Sequence, residues 1–311
     1  MRTTVRTLLS VLGAVILVVT MAAACGSKPR SGGPGTSTPV PTVVVPSTAE
    51  PTASSITAPA SSTTAPATTA PKLTTLDLRV YFLLGDHIAV AHRNVPSTVA
   101  VARAAMVQLL AGPSPSDVAA GLSTVLPSGT TLLGVSLSNG TATVDLSSQF
   151  ASGGGTLSMT GRLAQVTYTL TQFPTVTGVL FELDGHPLKL LGGEGVIVDR
   201  PATRASFDSL APPILAEFPG RGWAVHSPVW VSGSANVYEA QFQAEITDSH
   251  GKVVAQQAIT ATSGTGTRGT FDTAIAYPST AAGPGTLSVF DLSPKDGNER
   301  IDVVNIPLQL S

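Results

Sequence analysis

Residues 131–147 read Thr-Leu-Leu-Gly-Val-Ser-Leu-Ser-Asn-Gly-Thr-Ala-Thr-Val-Asp-Leu-Ser. Two strand-forming runs, 131–137 and 141–146, flank Asn139-Gly140. That dipeptide accepts the positive φ angles of a tight hairpin turn, so the stretch predicts two antiparallel strands. Toward the N-terminus, residues 76–84 alternate, are rich in strand formers and end at Gly85-Asp86, which predicts another strand. Ser97-Thr98 then offers a helix cap, and Val99, Ala102, Ala105 (or Met106), Leu109 and Leu110 recur at helical spacing until Gly112-Pro113. Toward the C-terminus, residues 157–173 predict a second helix with Leu163, Val166, Leu170 and Phe173 on one stripe, stopped by Pro174. Residues 176–183 and 187–191 predict a last hairpin through Asp184-Gly185. The order β-α-β-β-α-β-β is that of an α+β domain, a small mixed sheet with two helices on one face, expected over residues 74–200.

Residues 207–311 have a different texture, with no long helical stripe. Short strands are expected at 223–225, 229–232, 238–247, 253–260, 269–277, 285–291 and 302–310, between turn signals such as Asp248-Ser249-His250-Gly251 and Lys295-Asp296-Gly297-Asn298. In the third, Ala240, Phe242, Ala244 and Ile246 are expected inward, and Gln241, Gln243, Glu245 and Thr247 outward. Seven short strands in about a hundred residues suggest an all-β immunoglobulin-like sandwich. The connection from Pro201 to Pro213 reads equally as a rigid joint or a hinge.

The first 73 residues are nearly chargeless. Arg2 and Arg6 precede an apolar run over 8–19, and Ala22-Ala23-Ala24-Cys25 follows, which reads as a signal peptide over 1–24. The three alanines also satisfy an ordinary signal peptidase, and residues 8–24 reach the lower length limit of a spanning helix. The lone cysteine of the chain at the cleavage point favours lipidation over both. Residues 25–73 are Ser, Thr, Pro and Ala with a few Val, a composition expected to stay disordered as a stalk or tether and to invite O-glycosylation.

The formal charge is −2, and loss of Arg2 and Arg6 with a signal peptide would make it −4. With no basic run, nucleic acid is not an expected partner. One cysteine excludes an internal disulfide and any multi-cysteine metal site. The five histidines, His87, His92, His186, His226 and His250, share no metal-binding spacing. Residues 264–269 fit G-x-G-x-x-G, but a strand rather than a helix follows, so a hairpin loop is expected. No nucleophile elbow occurs and Glu182 and Asp184 share a strand face, so no catalytic residue, cofactor or metal is expected.

Several of these pieces also carry resemblances. Ala22-Ala23-Ala24-Cys25-Gly26 resembles the lipobox of bacterial lipoproteins, with Ala22 where Leu is usual; it implies that the Cys25 thiol carries a diacylglycerol and holds the chain on the extracytoplasmic face of the cell membrane. Val80-Tyr81-Phe82, Arg93, residues 109–113, Leu126-Pro127, Asn139-Gly140 with residues 144–147, Phe150, Gln165, Tyr168-Thr169-Leu170, Phe173-Pro174 and Asp184-Gly185 together resemble the GerMN domain of spore germination proteins. Ser227-Pro228-Val229, Gly233-Ser234-Ala235, Glu239-Ala240, Asp248, Gly251, Phe271, residues 285–290 and 293–297 resemble the immunoglobulin-like domain of bacterial spore germination proteins. The combination resembles an actinobacterial envelope lipoprotein and implies protein–protein contact without established catalysis. The expected function is a non-catalytic adaptor for an unidentified envelope protein; the alternatives are a structural protein that binds peptidoglycan or another wall polymer, and an unrecognised hydrolase. Trp223 and Trp230, the only tryptophans, read either as sandwich core or as an interaction platform for a partner or glycan.

Overall fold

The computed structural model describes residues 74–192, 195–295 and 297–311. The signal peptide, Cys25 and the stalk lie outside the described residues, as do Gly193, Glu194 and Asp296 of two expected loops.

Apolar residues from Leu78 to Leu83 anchor β1 (Thr75–Leu84), buried at Leu78, Val80, Tyr81, Phe82 and Leu83. Gly85, at φ +60°, and Asp86 return the chain directly into β2 (His87–Pro96), paired with β1 along its whole length. β2 is missing from the expected order because His92, Arg93 and Asn94 interrupt its apolar pattern. Ser97-Thr98 does not cap α1 (Val101–Leu110). Thr98 Oγ1 accepts from the Ala100 amide at 3.1 Å, Ala100 takes the cap position and Val99 is fully exposed. Ala102, Ala105, Met106 and Leu109 form the buried face of α1.

A further short helix, α2 (Pro115–Ala119), follows from Ser114-Pro115 and Asp117. Ser114 Oγ accepts from the Asp117 amide, the Asp117 carboxylate accepts from the Ser114 amide at 2.7 Å, and Arg93 of β2 pairs with Asp117. Burial acts to raise the Asp117 pKa, but the Ser114 hydroxyl and amide and the Arg93 guanidinium outweigh it and hold the carboxyl below its ordinary value. A lowered folded value gives stability that is present above the unfolded value, about 3.9, and is lost as pH falls through the folded one. Asp117→Asn should therefore shallow the acid limb of a stability profile taken by urea unfolding between about pH 2 and 6. An unchanged limb would show that the capping box and ion pair contribute nothing net.

β3 (Leu122–Ser123) completes the first sheet, in the order β2-β1-β3. The second sheet has the order β4-β5-β6-β7 and is mixed. β4 (Leu132–Ser138) and β5 (Thr141–Leu146) form the Asn139-Gly140 hairpin, with both turn residues at positive φ. α3 (Thr156–Leu170) then carries the chain to β6 (Gly178–Leu183), parallel to β5. The Asp184-Gly185 turn forms as expected, but its return strand is only β7 (His186–Pro187). Leu190-Leu191 instead makes β8 (Leu190–Leu191), paired with β9 (Val196–Ile197).

Every residue of α3 from 161 to 170 is buried, because the helix packs against α1, β1 and β6. Leu163, Val166 and Leu170 sit in the core as the stripe predicts; Phe173 lies beyond the helix end and is half-buried. A second, polar stripe explains the rest. β3 pairs with β1 only at Leu83 and Leu84, so among the described residues the remainder of that edge has no strand beside it. Gln165 Nε2 donates to the Tyr81 carbonyl at 3.1 Å, and the Tyr81 amide donates to Thr169 Oγ1 at 3.2 Å. The Arg79 amide donates to Gln172 Oε1 at 2.9 Å, and Gln172 Nε2 returns to the Arg79 carbonyl at 2.6 Å. Three side chains at helical spacing thus replace a neighbouring strand, satisfying main-chain groups that would otherwise be buried unpaired.

The second domain is an immunoglobulin-like sandwich. Its strands are β10 (Ile214–Phe218), β11 (Ala224–Val225), β12 (Val229–Ala235), β13 (Gln241–Asp248), β14 (Val253–Thr260), β15 (Gly269–Ile275), β16 (Gly283–Leu292) and β17 (Arg300–Leu310). They form sheets β10-β12-β15 and β11-β17-β16-β13-β14, with Phe242 and Phe271 meeting between them at 4.9 Å. Residues 238–240 are a 3₁₀ turn rather than the start of β13, with Glu239 and Ala240 at positive φ. Phe242, Ala244 and Ile246 point inward as alternation predicts. Glu245, expected in solvent, is 4% exposed because Arg300 of β17, two strands away in the sheet, folds over it, donating through Nη1 at 3.2 Å and Nη2 at 2.7 Å. Residues 264–268 lie in a loop and Gly269 opens β15, but the loop is not the expected hairpin: it crosses from one sheet to the other, since β14 and β15 belong to different sheets.

The described residues form one compact unit, and the connection between the domains is a packed joint. A 3₁₀ segment (Arg204–Leu210) sends Phe207 and Leu210, followed by Ala211 and then Leu215 of β10, into the core of the first domain. Arg268 of the second domain pairs with Asp208 and donates to the Pro212 carbonyl at 2.8 Å. β10 therefore serves both domains, since its Ile214 and Ala216 face the sandwich core.

Candidate functional site

β2 and β10 are both edge strands, and they approach each other at one end only. There His92 of β2 makes two contacts: its Nδ1 lies 2.8 Å from the Asp77 carboxylate and its Nε2 lies 2.9 Å from the Glu217 carbonyl. Trp223 closes over this contact, with ring centroids 4.7 Å from His92 and 5.2 Å from Phe218. Away from it the strands diverge and leave a groove of about 300 Å³. Residues 87–90 of β2 form one wall, residues 212–216 another, and residues 302–304 with Ile306 of β17 the third. The lining is mainly apolar, with His87, Arg221 and Asp302 as polar members.

Beneath the closed end lies a charged cluster that unites the domains. Glu217 of β10, 7% exposed, accepts from Tyr81 Oη at 2.5 Å, Arg204 Nη1 at 2.6 Å and Arg79 Nη1 at 3.2 Å. Arg204 also donates to Tyr81 Oη at 2.9 Å and lies over the rings of Tyr168 and Tyr81, at 4.8 and 5.2 Å. Burial, then the Glu217 charge, pushes the Tyr81 hydroxyl pKa far up, so it remains a donor. Burial pulls on Arg204 in the opposite sense, but Tyr81 and Glu217 outweigh it and raise its value. The cluster orients the two domains; its groups are engaged with each other and with main chain.

The residues singled out in the sequence fall in different places. Cys25 lies outside the described residues. Trp223 is half-buried at the joint, against His92 and Phe218, and also packs on the sandwich core. Trp230 is 55% exposed on β12, opposite Ala274 of β15 and next to the Ser232–Asp272 pair. Trp230→Ala should therefore leave the unfolding free energy within about 0.5 kcal/mol of the parent, measured by urea denaturation. A larger loss would mean that the indole supports the sheet beneath it. The histidines are dispersed: His92 in the joint, His87 at the groove, His186 at the Asp184-Gly185 turn, His250 in the loop after β13, and His226 beside Ser311 Oγ at 2.9 Å.

The geometry defines a two-domain module, α+β followed by an immunoglobulin-like sandwich, joined by a buried polar cluster next to an open apolar groove. Residues 79–189 match the family described as Germane, sporulation and spore germination. Residues 214–298 match Gmad2, the immunoglobulin-like domain of bacterial spore germination. The chain thus carries a GerMN-like domain followed by a Gmad2 domain. No curated protein sequence matches it closely enough to report. Among solved structures, the tandem GerMN domains of the sporulation protein GerM from Bacillus subtilis match at 19% identity and a TM-score of 0.37, covering 60% of each chain. The chain therefore spans only 60% of the length of that tandem structure. The first GerMN domain of the same protein matches at 24% identity and a TM-score of 0.34, over 42% of this chain and 99% of that one. A lipoprotein candidate from Clostridium perfringens matches at 21% and 0.33, over 44% and 93%.

Proposed function

We propose that the chain is a non-catalytic lipoprotein, anchored through Cys25 on the extracytoplasmic face of the cell membrane, that acts as an adaptor for an envelope protein. The observation that carries this reading is the interdomain groove: an apolar surface held open between two domains whose mutual orientation a buried cluster sets. Apolar clefts with a few polar rim groups are binding surfaces. Small-residue cleavage at Ala22-Ala23-Ala24 leaves Cys25 as the first residue, and the Ser/Thr/Pro-rich stretch behind it would tether the domains near a membrane partner, raising its effective concentration. The test is crosslinking in intact cells followed by mass spectrometry, on the parent and on Cys25→Ala. One membrane protein enriched only with the anchor intact supports the adaptor; equal recovery of nothing from both overturns it. Trp230 supports a second reading, a structural protein that binds wall polymer, because an indole 55% exposed on a flat sheet offers a stacking platform. Co-sedimentation with purified wall, lost in Trp230→Ala, would favour it.

A further inference from the structure

We propose that the groove takes an extended apolar segment of a partner protein, bearing a lysine or arginine at one end, which adds as a strand to the open edge of β2. The inference rests on the adaptor reading and names what the adaptor holds.

Three sheet edges meet at the groove. β2 ends the sheet β2-β1-β3 and β10 ends the sheet β10-β12-β15, and among the described residues neither has a strand on its outer side. β17 is covered by β11 only at Gln309 and Leu310, so residues 302–304 are open as well. Such edges carry rows of N–H and C=O groups that seek partners. The contrast with β1 is informative. Its open edge is satisfied by Gln165, Thr169 and Gln172, whereas on β2 the side-chain contacts among the described residues gather at the closed end, where Arg93 Nη1 donates to the His92 carbonyl at 3.0 Å and His92 Nε2 meets the Glu217 carbonyl. β2 and β10 also progress in the same direction, since residues 87–90 and 212–216 line the groove and His92 and Glu217 meet at its end. A strand entering from the open end thus meets β2 as its template, half-buried at Ala89 and Val90, while residues 214–216 of β10 are buried.

The lining selects the side chains. Leu84, Val90, Val303 and Val304 present apolar surface, and about 300 Å³ accommodates a few valine- or isoleucine-sized groups. Four residues of β2 span roughly 13 Å, matching a short extended segment. An acyl chain would fill the same volume but leave the edge amides and carbonyls unpaired, whereas a strand pairs them while its alternate side chains enter the groove. Charge selects the end. Asp302 lines the groove, is exposed, sits at φ +53° and has no ion-pair partner among the described residues. Asp291 is near enough for the Asp302 charge to add to the effect of burial in raising its pKa, so a cation placed there relieves repulsion between two acids. Arg221, the cation of the lining, is engaged with the Asn305 carbonyl at 2.9 Å.

The test uses the full chain and a library of acetylated octapeptides with Val, Ile, Leu, Ala or Thr at the central positions and Lys or Glu at the ends. Amide hydrogen exchange reads binding. The expected result is at least about tenfold slower exchange at residues 87–90 with Lys-ended members. N-methylation of alternate peptide amides should weaken binding by about tenfold or more, the loss expected when strand hydrogen bonds are removed. Asp302→Asn should abolish the preference for Lys over Glu without moving the melting temperature. The proposal is overturned if no member slows those amides. It is equally overturned if phosphatidylglycerol vesicles occupy the groove and peptides do not, or if the free chain is a dimer with those amides already protected. A photocrosslinker at Val90 and, separately, at Trp230 distinguishes this failure from that of the adaptor reading. Capture of one envelope protein from Trp230 alone sinks the groove and leaves the adaptor; capture from neither sinks both.

Discussion

Glu217→Ala should lower the stability of the folded unit by about 3 kcal/mol and uncouple the two domains. The carboxylate is the shared acceptor of Tyr81, Arg204 and Arg79, and its removal leaves two guanidinium groups and a buried phenol facing one another. Breaking a buried pair costs about 3–5 kcal/mol because the remaining charge is uncompensated. The lower end applies here, since the Arg79 and Arg204 side chains keep 29% and 26% of their surface in water. Glu217→Gln retains one acceptor oxygen but turns an amide NH₂ toward an arginine, and should cost about 2 kcal/mol. Trp223 reports directly, because it packs on Phe218, the next residue of β10. In a Trp230→Phe background, urea unfolding followed by its fluorescence should pass from one transition in the parent to two in Glu217→Ala. A single transition with less than about 1 kcal/mol of loss would mean that apolar packing of Phe207, Leu210 and Leu215 alone holds the domains together.

The elements legible in the sequence were those whose pattern reports a single environment. The hairpin at Asn139-Gly140 was legible because positive φ at a two-residue turn admits few residue types, and the alternation of Phe242, Ala244 and Ile246 because one face of β13 meets one core. β2 and β10 were not legible, and both are interface strands. In β10, Ile214 and Ala216 face one core while Leu215 faces the other, and Glu217 serves the joint, so the run has no polar side to complete an alternation. In β2, His92 and Arg93 look like surface residues and instead reach the Glu217 carbonyl and Asp117. The same reason hid the joint: Arg79, Tyr81, Arg204 and Glu217 lie far apart in the chain and only the packing of two domains brings them together. Glu245 was misplaced because alternation names the face of a strand, while Arg300, supplied by β17, decides whether that face is dry. Trp223 and Trp230 differ for a related reason. A tryptophan in a short strand gives no sign of whether a second domain covers it.

Arg162→Met should cost about 4 kcal/mol, and the loss should be confined at first to the GerMN-like domain. Arg162 is 3% exposed in the middle of α3, where helical spacing alone would suggest a surface side chain. Its guanidinium donates to the carbonyls of Val125 at 3.1 Å, Phe150 at 2.7 Å and Gly153 at 2.6 Å, with Ser158 Oγ at 3.4 Å. Among the described residues no carboxylate compensates it, and burial lowers its pKa from the ordinary value. The charge is held by main-chain dipoles from two loops, the one before β4 and the one before α3, which it pins to the helix. Methionine fills much of the volume but leaves three carbonyls without a donor, and each buried unsatisfied group costs about 1–3 kcal/mol. For three groups that is about 3–9 kcal/mol, and partial rehydration of the Gly153 end brings the sum toward the lower part of it. Lysine can reach only part of the set from a single ammonium, so Arg162→Lys should fall between parent and Met. For a unit of this size about 4 kcal/mol corresponds to a fall of roughly 8–16 °C in Tm. Hydrogen exchange should show residues 122–126 and 148–155 losing protection before β13 and β16 do. Simultaneous loss in both domains would contradict this and make Arg162 a determinant of the whole unit, acting through α3 and its contact with the 3₁₀ segment of the joint.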